Sequence, residues 1–162
     1  MIAANSNTIF KAMEYQEEVR LVAYAASNSV LILDPYHKTG SLETPKVLFC
    51  LNGHTTRINA VQWLNPNLIV SIGGDEMVII VWERKQGSDA KSPESWREAW
   101  KMKDAHPATI NYLTSHKGTS GDDLYFTTMC SSGVLKLWVG SNDENDQLTF
   151  TLKSELLFGR NL

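Results

Sequence analysis

"LNGHTTRINAVQWLNPNLIVSIGGDEMVIIVWE", residues 51–83, decides the fold. Its apolar residues come in short runs. "RINAVQWL" (57–64) meets Asn65-Pro66-Asn67, "LIVSI" (68–72) meets Gly73-Gly74-Asp75, and "MVIIVW" (77–82) meets a polar stretch. Runs of this length, rich in Val, Ile and Trp and bounded by Asn, Pro and Gly, read as strands joined by tight turns. Gly73-Gly74-Asp75-Glu76 also has the residue types of a metal and nucleotide site, so the turn has two readings.

The pattern continues in both directions. "VRLVAYAAS" (19–27), "SVLILD" (29–34), "KVLFCL" (46–51), "TINYLT" (109–114), "LYFTTM" (124–129), "GVLKLWV" (133–139) and "LTFTLKSELLF" (148–158) are all strand-like. "ESWREAWKMKD" (94–104) contains helix formers, with Trp96 and Trp100 one helical turn apart. The alternation Trp96, Glu98, Trp100, Met102 fits a strand there, and the repeat below places one. "ERKQGSDAKSPES" (83–95) and "GSNDENDQ" (140–147) read as exposed loops. The second holds Asp143, Glu144 and Asp146 but lacks the spacing and central Gly of a calcium loop, so it is expected to be a solvated hairpin tip.

The bulk numbers restrict function. A chain of 162 residues with a net charge of -3 is long enough for one core and carries no strong basic footprint for nucleic acid. Two cysteines, Cys50 and Cys130, are too few for a disulfide framework or a cysteine zinc site. There is no basic, apolar leader and no run long enough to span a bilayer. These features suggest an intracellular, soluble protein.

Residues 51–83 align with "KDAHPATINYLTSHKGTSGDDLYFTTMCSSGVLKLWVG" (103–140). Both open on a small residue and His (Gly53-His54, Ala105-His106). Both continue with Ile-Asn (Ile58-Asn59, Ile110-Asn111), then a strand with a hydroxyl (Ser71, Thr128), then a strand ending in Trp (Trp82, Trp138). The period is roughly 50–56 residues, and a degenerate earlier copy ends at Leu33-Asp34. These residues resemble the WD40-repeat family. The resemblance implies an all-β fold, a partial WD40 β-propeller of about three four-stranded antiparallel blades that does not close on its own. The approximate repeats are 1–44, 45–95 and 96–146, with the start of another at 147–162. It also implies a buried relay of His54, Ser71, Asp75 and Trp82, with Gly73-Gly74 supplying positive φ at the turn. A weaker relay joins His106, Thr128 and Trp138. Two blemishes stand out. Trp82 follows Asp75 by one residue more than the signature expects, and Ser132 occupies the acidic position of the later copy.

The chemical readings fare less well. The diguanylate cyclase signature needs Phe where Met77 stands and Arg where Ser71 stands, together with helices the chain lacks. Ser71, His54 and Asp75 have the residue types of a hydrolase, but Ser71 lies inside a strand and not on an exposed nucleophile turn. His37 and His116 are read as surface residues in loops. Trp96 and Trp100 are either packing residues or partner contacts. No catalytic, cofactor-binding or metal residue is assigned, and the chain is expected not to be an enzyme.

"YAASNSVLILDP" (24–35) and "LNGHTTRINAVQW" (51–63), with the tail "LLFGRNL" (156–162), resemble the N-terminal part of the Elongator complex protein 2 family. That family is built from two propellers and is a non-catalytic part of an assembly that modifies the wobble uridine of certain transfer RNAs through another subunit. The resemblance implies a scaffold whose partners are the catalytic and scaffold subunits of an Elongator-like complex. It implies contact with tRNA only through the complex, no direct DNA contact, no membrane, and a location in the cytoplasm extending to the nucleus. The alternative is an unrelated WD-repeat adaptor of another multiprotein complex. With material for about three blades, the chain is expected to be a piece of a longer protein, and poorly soluble or oligomeric by itself.

Overall fold

In a computed structural model, residues 7, 11–117 and 124–158 are described. Three four-stranded antiparallel sheets follow one another along the chain. Blade 1 comprises β1 (Met13–Gln16), β2 (Leu21–Ala26), β3 (Ser29–Asp34) and, after the small hairpin β4 (Lys38–Thr39) and β5 (Leu42–Glu43), β6 (Lys46–Asn52). Blade 2 comprises β7 (Ile58–Asn65), β8 (Leu68–Gly73), β9 (Val78–Arg84) and β10 (Trp96–Met102). Blade 3 comprises β11 (Ile110–Lys117), β12 (Leu124–Cys130), β13 (Val134–Asn142) and β14 (Leu148–Leu157). Within each blade, consecutive strands of the ladder are neighbours, as in an open piece of a propeller.

Burial explains how the runs differ. Blade 2 lies between the other two, so both its faces are covered. All of β8 and the first five residues of β9 are buried, and they read as continuous apolar segments. In β12 buried residues alternate with half-buried ones. One core cluster joins blades 1 and 2 through Leu21, Val30, Ile32, Val61, Ile69 and Ile80. A second joins blades 2 and 3 through Val70, Ile72, Ile79, Ile110, Phe126 and Phe150.

Polar contacts set the register between blades. Ile58 N–H donates to the Ser27 carbonyl (2.9 Å), and Ile110 N–H donates to the Gly74 carbonyl (3.1 Å). In each case the first residue of an inner strand bonds to the turn of the preceding blade. A side-chain amide completes the joint. Asn7 Nδ2 donates to the Ile58 carbonyl at 2.9 Å, and Asn59 Nδ2 to the Ile110 carbonyl at 2.8 Å. Asn59 stands where the β7–β8 register shifts, which turns its side chain out of the ladder. Replacing Asn59 by Leu is therefore expected to cost about 1–3 kcal/mol, because the Ile110 carbonyl loses its donor. Asn111→Leu, at the matching but exposed position, is expected to stay within about 0.5 kcal/mol. Denaturant unfolding of the two variants compares them directly, and equal costs would contradict the clamp.

One expectation about loops changes. The polar stretch after β9 is not simply exposed. Ala90 is buried in the core between blades 1 and 2. Lys91 Nζ reaches Asp34 Oδ2 at 2.6 Å, so the stretch ties blade 2 to blade 1. Residues 94–104 form no α-helix. A 3-10 turn, Pro93–Ser95, leads into β10. The tip after β13 is solvated, and its Asp143 Oδ1 accepts from the backbone N–H of Asn145 and Gln147.

Candidate functional site

Residues suited to catalysis gather at the joint of β6, β8 and β9, and their geometry leaves little for chemistry. His54 lies in the loop between β6 and β7, Ser71 inside β8, and Trp82 in β9. Trp82 Nε1 donates to Ser71 Oγ at 2.9 Å, and Ser71 Oγ lies 2.8 Å from His54 Nε2. The indole has only a proton to give, and a carboxylate of Glu76 at His54 Nδ1 can only accept, so neutral His54 carries its proton on Nδ1 and its Nε2 accepts the Ser71 hydroxyl. The Ser71 side chain is fully buried, so no substrate reaches it. Gly53 is small because a Cβ there would lie 2.7 Å from the Trp82 ring.

The carboxylate at the end of the chain is Glu76, not Asp75. Glu76 Oε1 takes the His54 Nδ1 proton at 2.5 Å. Its other oxygen accepts from the Thr55 backbone N–H at 2.9 Å and from the Thr55 hydroxyl. Asp75 is exposed and accepts from Thr109 Oγ1 at 3.3 Å. Turn geometry causes the swap. Met77 N–H bonds back to the Gly74 carbonyl (3.2 Å), and Met77 itself adopts the left-handed conformation (φ 54). The residue just before the left-handed one is folded back over the loop, and that residue is Glu76. The sequence carried this signal in the extra residue between Asp75 and Trp82.

Gly73 and Gly74 are required for space, not for positive φ, which falls on Met77. A Cβ on Gly73 would stand 2.1 Å from Glu76 Oε1 and 2.6 Å from His54 Nδ1. One on Gly74 would stand 1.8 Å from Asn59 Nδ2.

Charge is distributed accordingly. Burial pushes the Glu76 carboxyl up, but the bonds from Thr55 and His54 outweigh it and hold its pKa below the usual value. Burial pulls His54 down against the opposing pull of Glu76.

Blade 3 repeats the inner part of the chain. Trp138 Nε1 donates to Thr128 Oγ1 (2.9 Å), which lies 2.7 Å from His106 Nε2. Among the described residues no carboxylate completes it. His106 Nδ1 is buried and has no hydrogen-bond partner among them, and Ser132, at the acidic position, is paired with Cys130 Sγ at 3.1 Å. Burial, helped by the nearby Lys136 charge, lowers the His106 pKa to about 4. The unfolded chain therefore takes up a proton near pH 6.5 that the folded chain refuses until about pH 4. Stability is full above the unfolded value and is lost as pH falls through this window. The expected loss is about 2–3 kcal/mol between pH 7 and 4.5, with His54 acting in the same direction. Urea unfolding at the two pH values measures it, and a flat profile would contradict the burial of a neutral imidazole.

The remaining candidates resolve as packing or surface. Trp96 is buried edge-on to Trp63, with ring centroids 5.8 Å apart, and its Nε1 donates to the Ala90 carbonyl. Trp100 packs on Trp138 and Phe150. Both therefore serve the core, and neither is a free partner contact. His37 lies 4.0 Å from Asp34. His116 belongs to β11 instead of a loop, exposed and 3.2 Å from Thr127 Oγ1. Cys50 and Cys130 are free thiols. Among the described residues, no group of three or more His, Cys, Asp or Glu is placed to hold a metal ion.

Known proteins resemble this arrangement. No family model matches the chain. Elongator complex protein 2 of Drosophila melanogaster is 30% identical over 145 residues, which cover 84% of this chain and 17% of that protein. Elongator complex protein 2 of Danio rerio is 30% identical over 129 residues, 76% of this chain and 14% of that protein. Protein HIRA of Mus musculus is 30% identical over 84 residues, 46% of this chain and 7% of that protein. The chain thus spans less than a fifth of the length of these curated relatives. The crystal structure of Saccharomyces cerevisiae Sqt1 superposes with a TM-score of 0.63 at 16% identity, covering 97% of this chain and 39% of that one. That likeness speaks for the fold alone.

Proposed function

Because the chain is a WD40-repeat protein similar to Elongator complex protein 2, we propose that it acts as a non-catalytic scaffold in an Elongator-like complex. In this reading it supports wobble-uridine modification of transfer RNA by holding subunits together, and it meets tRNA only through them. The observation that carries the proposal is the fate of the polar residues. His54, Ser71 and Glu76 bond to one another and to Trp82 and Thr55, so the reactive atoms are spent on joining strands. What remains outside is loop and sheet surface, which suits contact with other proteins.

The shorter similarity to Protein HIRA favours a second reading, a WD-repeat adaptor of a different complex. Affinity purification of the protein from its own cells, followed by identification of the co-purifying chains, separates the two. Recovery of Elongator-type subunits, together with reduced wobble-uridine modification when the protein is depleted, is the expected result. A partner set without Elongator subunits, and unchanged tRNA nucleosides, would contradict the proposal.

A further inference from the structure

Blade 3 buries an imidazole that lacks the partner blade 2 provides. We propose that Ser132 is a phosphorylation site whose phosphate completes the His106 relay as the Glu76 carboxylate completes the His54 relay.

The two positions match by structure as well as by count. Glu76 stands six residues before Trp82, and Ser132 six before Trp138. Each lies in a turn closed by the same backbone bond, Met77 N–H to the Gly74 carbonyl (3.2 Å) and Gly133 N–H to the Cys130 carbonyl (3.0 Å). Each is followed by a left-handed residue, Met77 (φ 54) and Gly133 (φ 81). The backbone of blade 3 therefore offers Ser132 as the tether from which blade 2 delivers a carboxylate.

The receiving atom is in place. His106 is 3% exposed, its Nε2 is held by Thr128, and its Nδ1 has no partner among the described residues. A buried ring nitrogen without a hydrogen-bond partner is costly, and an acceptor brought to Nδ1 would hold the ring in the Nδ1–H form, as Glu76 holds His54. Ser132 is exposed, and its Oγ makes a soft contact to Cys130 Sγ. A phosphoserine extends about as far from its Cα as a glutamate and carries roughly -1.5 to -2 charges with three acceptor oxygens. The charges felt at His106 are those of Lys136 and Glu155, which pair with each other at 3.3 Å, so a phosphate there would compete with Glu155 for the Lys136 ammonium. Pro107 stands where Thr55 stands in blade 2, so the second donor of the Glu76 site is missing. The other phosphate oxygens then face water.

The modification needs a protein kinase and ATP. Ser132 Oγ forms a bond to the γ-phosphorus as the bond to the β–γ bridging oxygen breaks. ADP leaves, and the hydroxyl proton passes to the kinase's base.

The test has two arms. The protein is purified from its own cells, and the peptide bearing Ser132 is mapped by tandem mass spectrometry before and after phosphatase treatment. The full chain is also made with phosphoserine encoded at 132, and as S132E and S132A. Phosphate on Ser132 in cells is expected. The phosphorylated and S132E chains are expected to melt roughly 3–8 °C above S132A. The His106 pKa, followed by NMR, is expected to rise by about 1–2 units from its low value. A Ser132 that stays unmodified in cells would overturn the proposal. So would phosphoserine that leaves both the melting point and the His106 titration unchanged. A gain in S132A from inorganic phosphate alone, equal to that of the tethered group, would also overturn it by showing a site for a free anion.

Discussion

Ser71→Ala is expected to remove about 3–5 kcal/mol of stability, far more than the loss of one exposed hydroxyl would cost. Ser71 Oγ serves two buried partners at once, the Trp82 indole N–H and His54 Nε2. Alanine leaves both without a bond, and each orphaned buried polar atom costs about 1–3 kcal/mol. No water reaches in to compensate, because Ser71 lies between two covered faces of blade 2 and is fully buried. For a chain of this size the melting point is expected to fall by roughly 10 °C or more. Calorimetry checks the value. A drop of only a degree or two would show that the hydroxyl is not a shared link.

The second large effect is expected from Gly73→Ala. A methyl group at this position would overlap Glu76 Oε1 at 2.1 Å and His54 Nδ1 at 2.6 Å. His54 cannot retreat, because its Nε2 is held by Ser71. The Glu76 side chain has to swing away, which leaves blade 2 with the incomplete relay of blade 3. The expected cost is about 2–4 kcal/mol, combining a lost charge-assisted bond with local overpacking. A double-mutant cycle identifies the cause. In a Glu76→Ala background the bond is already gone, so the share of the Gly73→Ala cost that comes from displacing Glu76 is expected to disappear, giving a coupling of about 1 kcal/mol or more, while the overlap with His54 Nδ1 remains. Fully additive costs would mean that Gly73 is needed for another reason.

Much of the fold was legible because strand composition and turn residues agree. "LIVSI", "MVIIVW" and "LYFTTM" each become a strand of the expected length. Tertiary cover explains why the strands of blade 2 read as unbroken apolar runs while β12 alternates. β1, "MEYQ", escaped notice because its burial pattern is exposed and half-buried by turns, with a carboxylate in the middle. Glu14 is there for a reason outside its own strand, since its Oε2 accepts the Trp63 backbone N–H at 2.5 Å. No local pattern reports a contact across so long a stretch of chain.

The site was legible in kind but not in detail. His, hydroxyl and Trp could be assigned from their repeat because residues 51–83 and 103–140 both carry them. The acidic partner was misplaced by one residue. Asp75 and Glu76 are adjacent and chemically similar, and only the left-handed Met77 decides which of them folds back. A left-handed Met has no sequence signature, whereas Gly at the equivalent place in blade 3, Gly133, does. The tie between Asp34 and Lys91 was also beyond reading, since it joins a strand end to a loop on the next blade.

Comparing Asp75→Ala with Glu76→Ala in denaturant unfolding tests the relay most directly. The structure predicts a loss of about 2–3 kcal/mol for Glu76→Ala, which leaves His54 Nδ1 and the Thr55 N–H without their acceptor, and less than about 0.5 kcal/mol for exposed Asp75→Ala. The reverse order, or equal losses, would contradict the assignment of Glu76 as the acidic end of the chain that joins these strands.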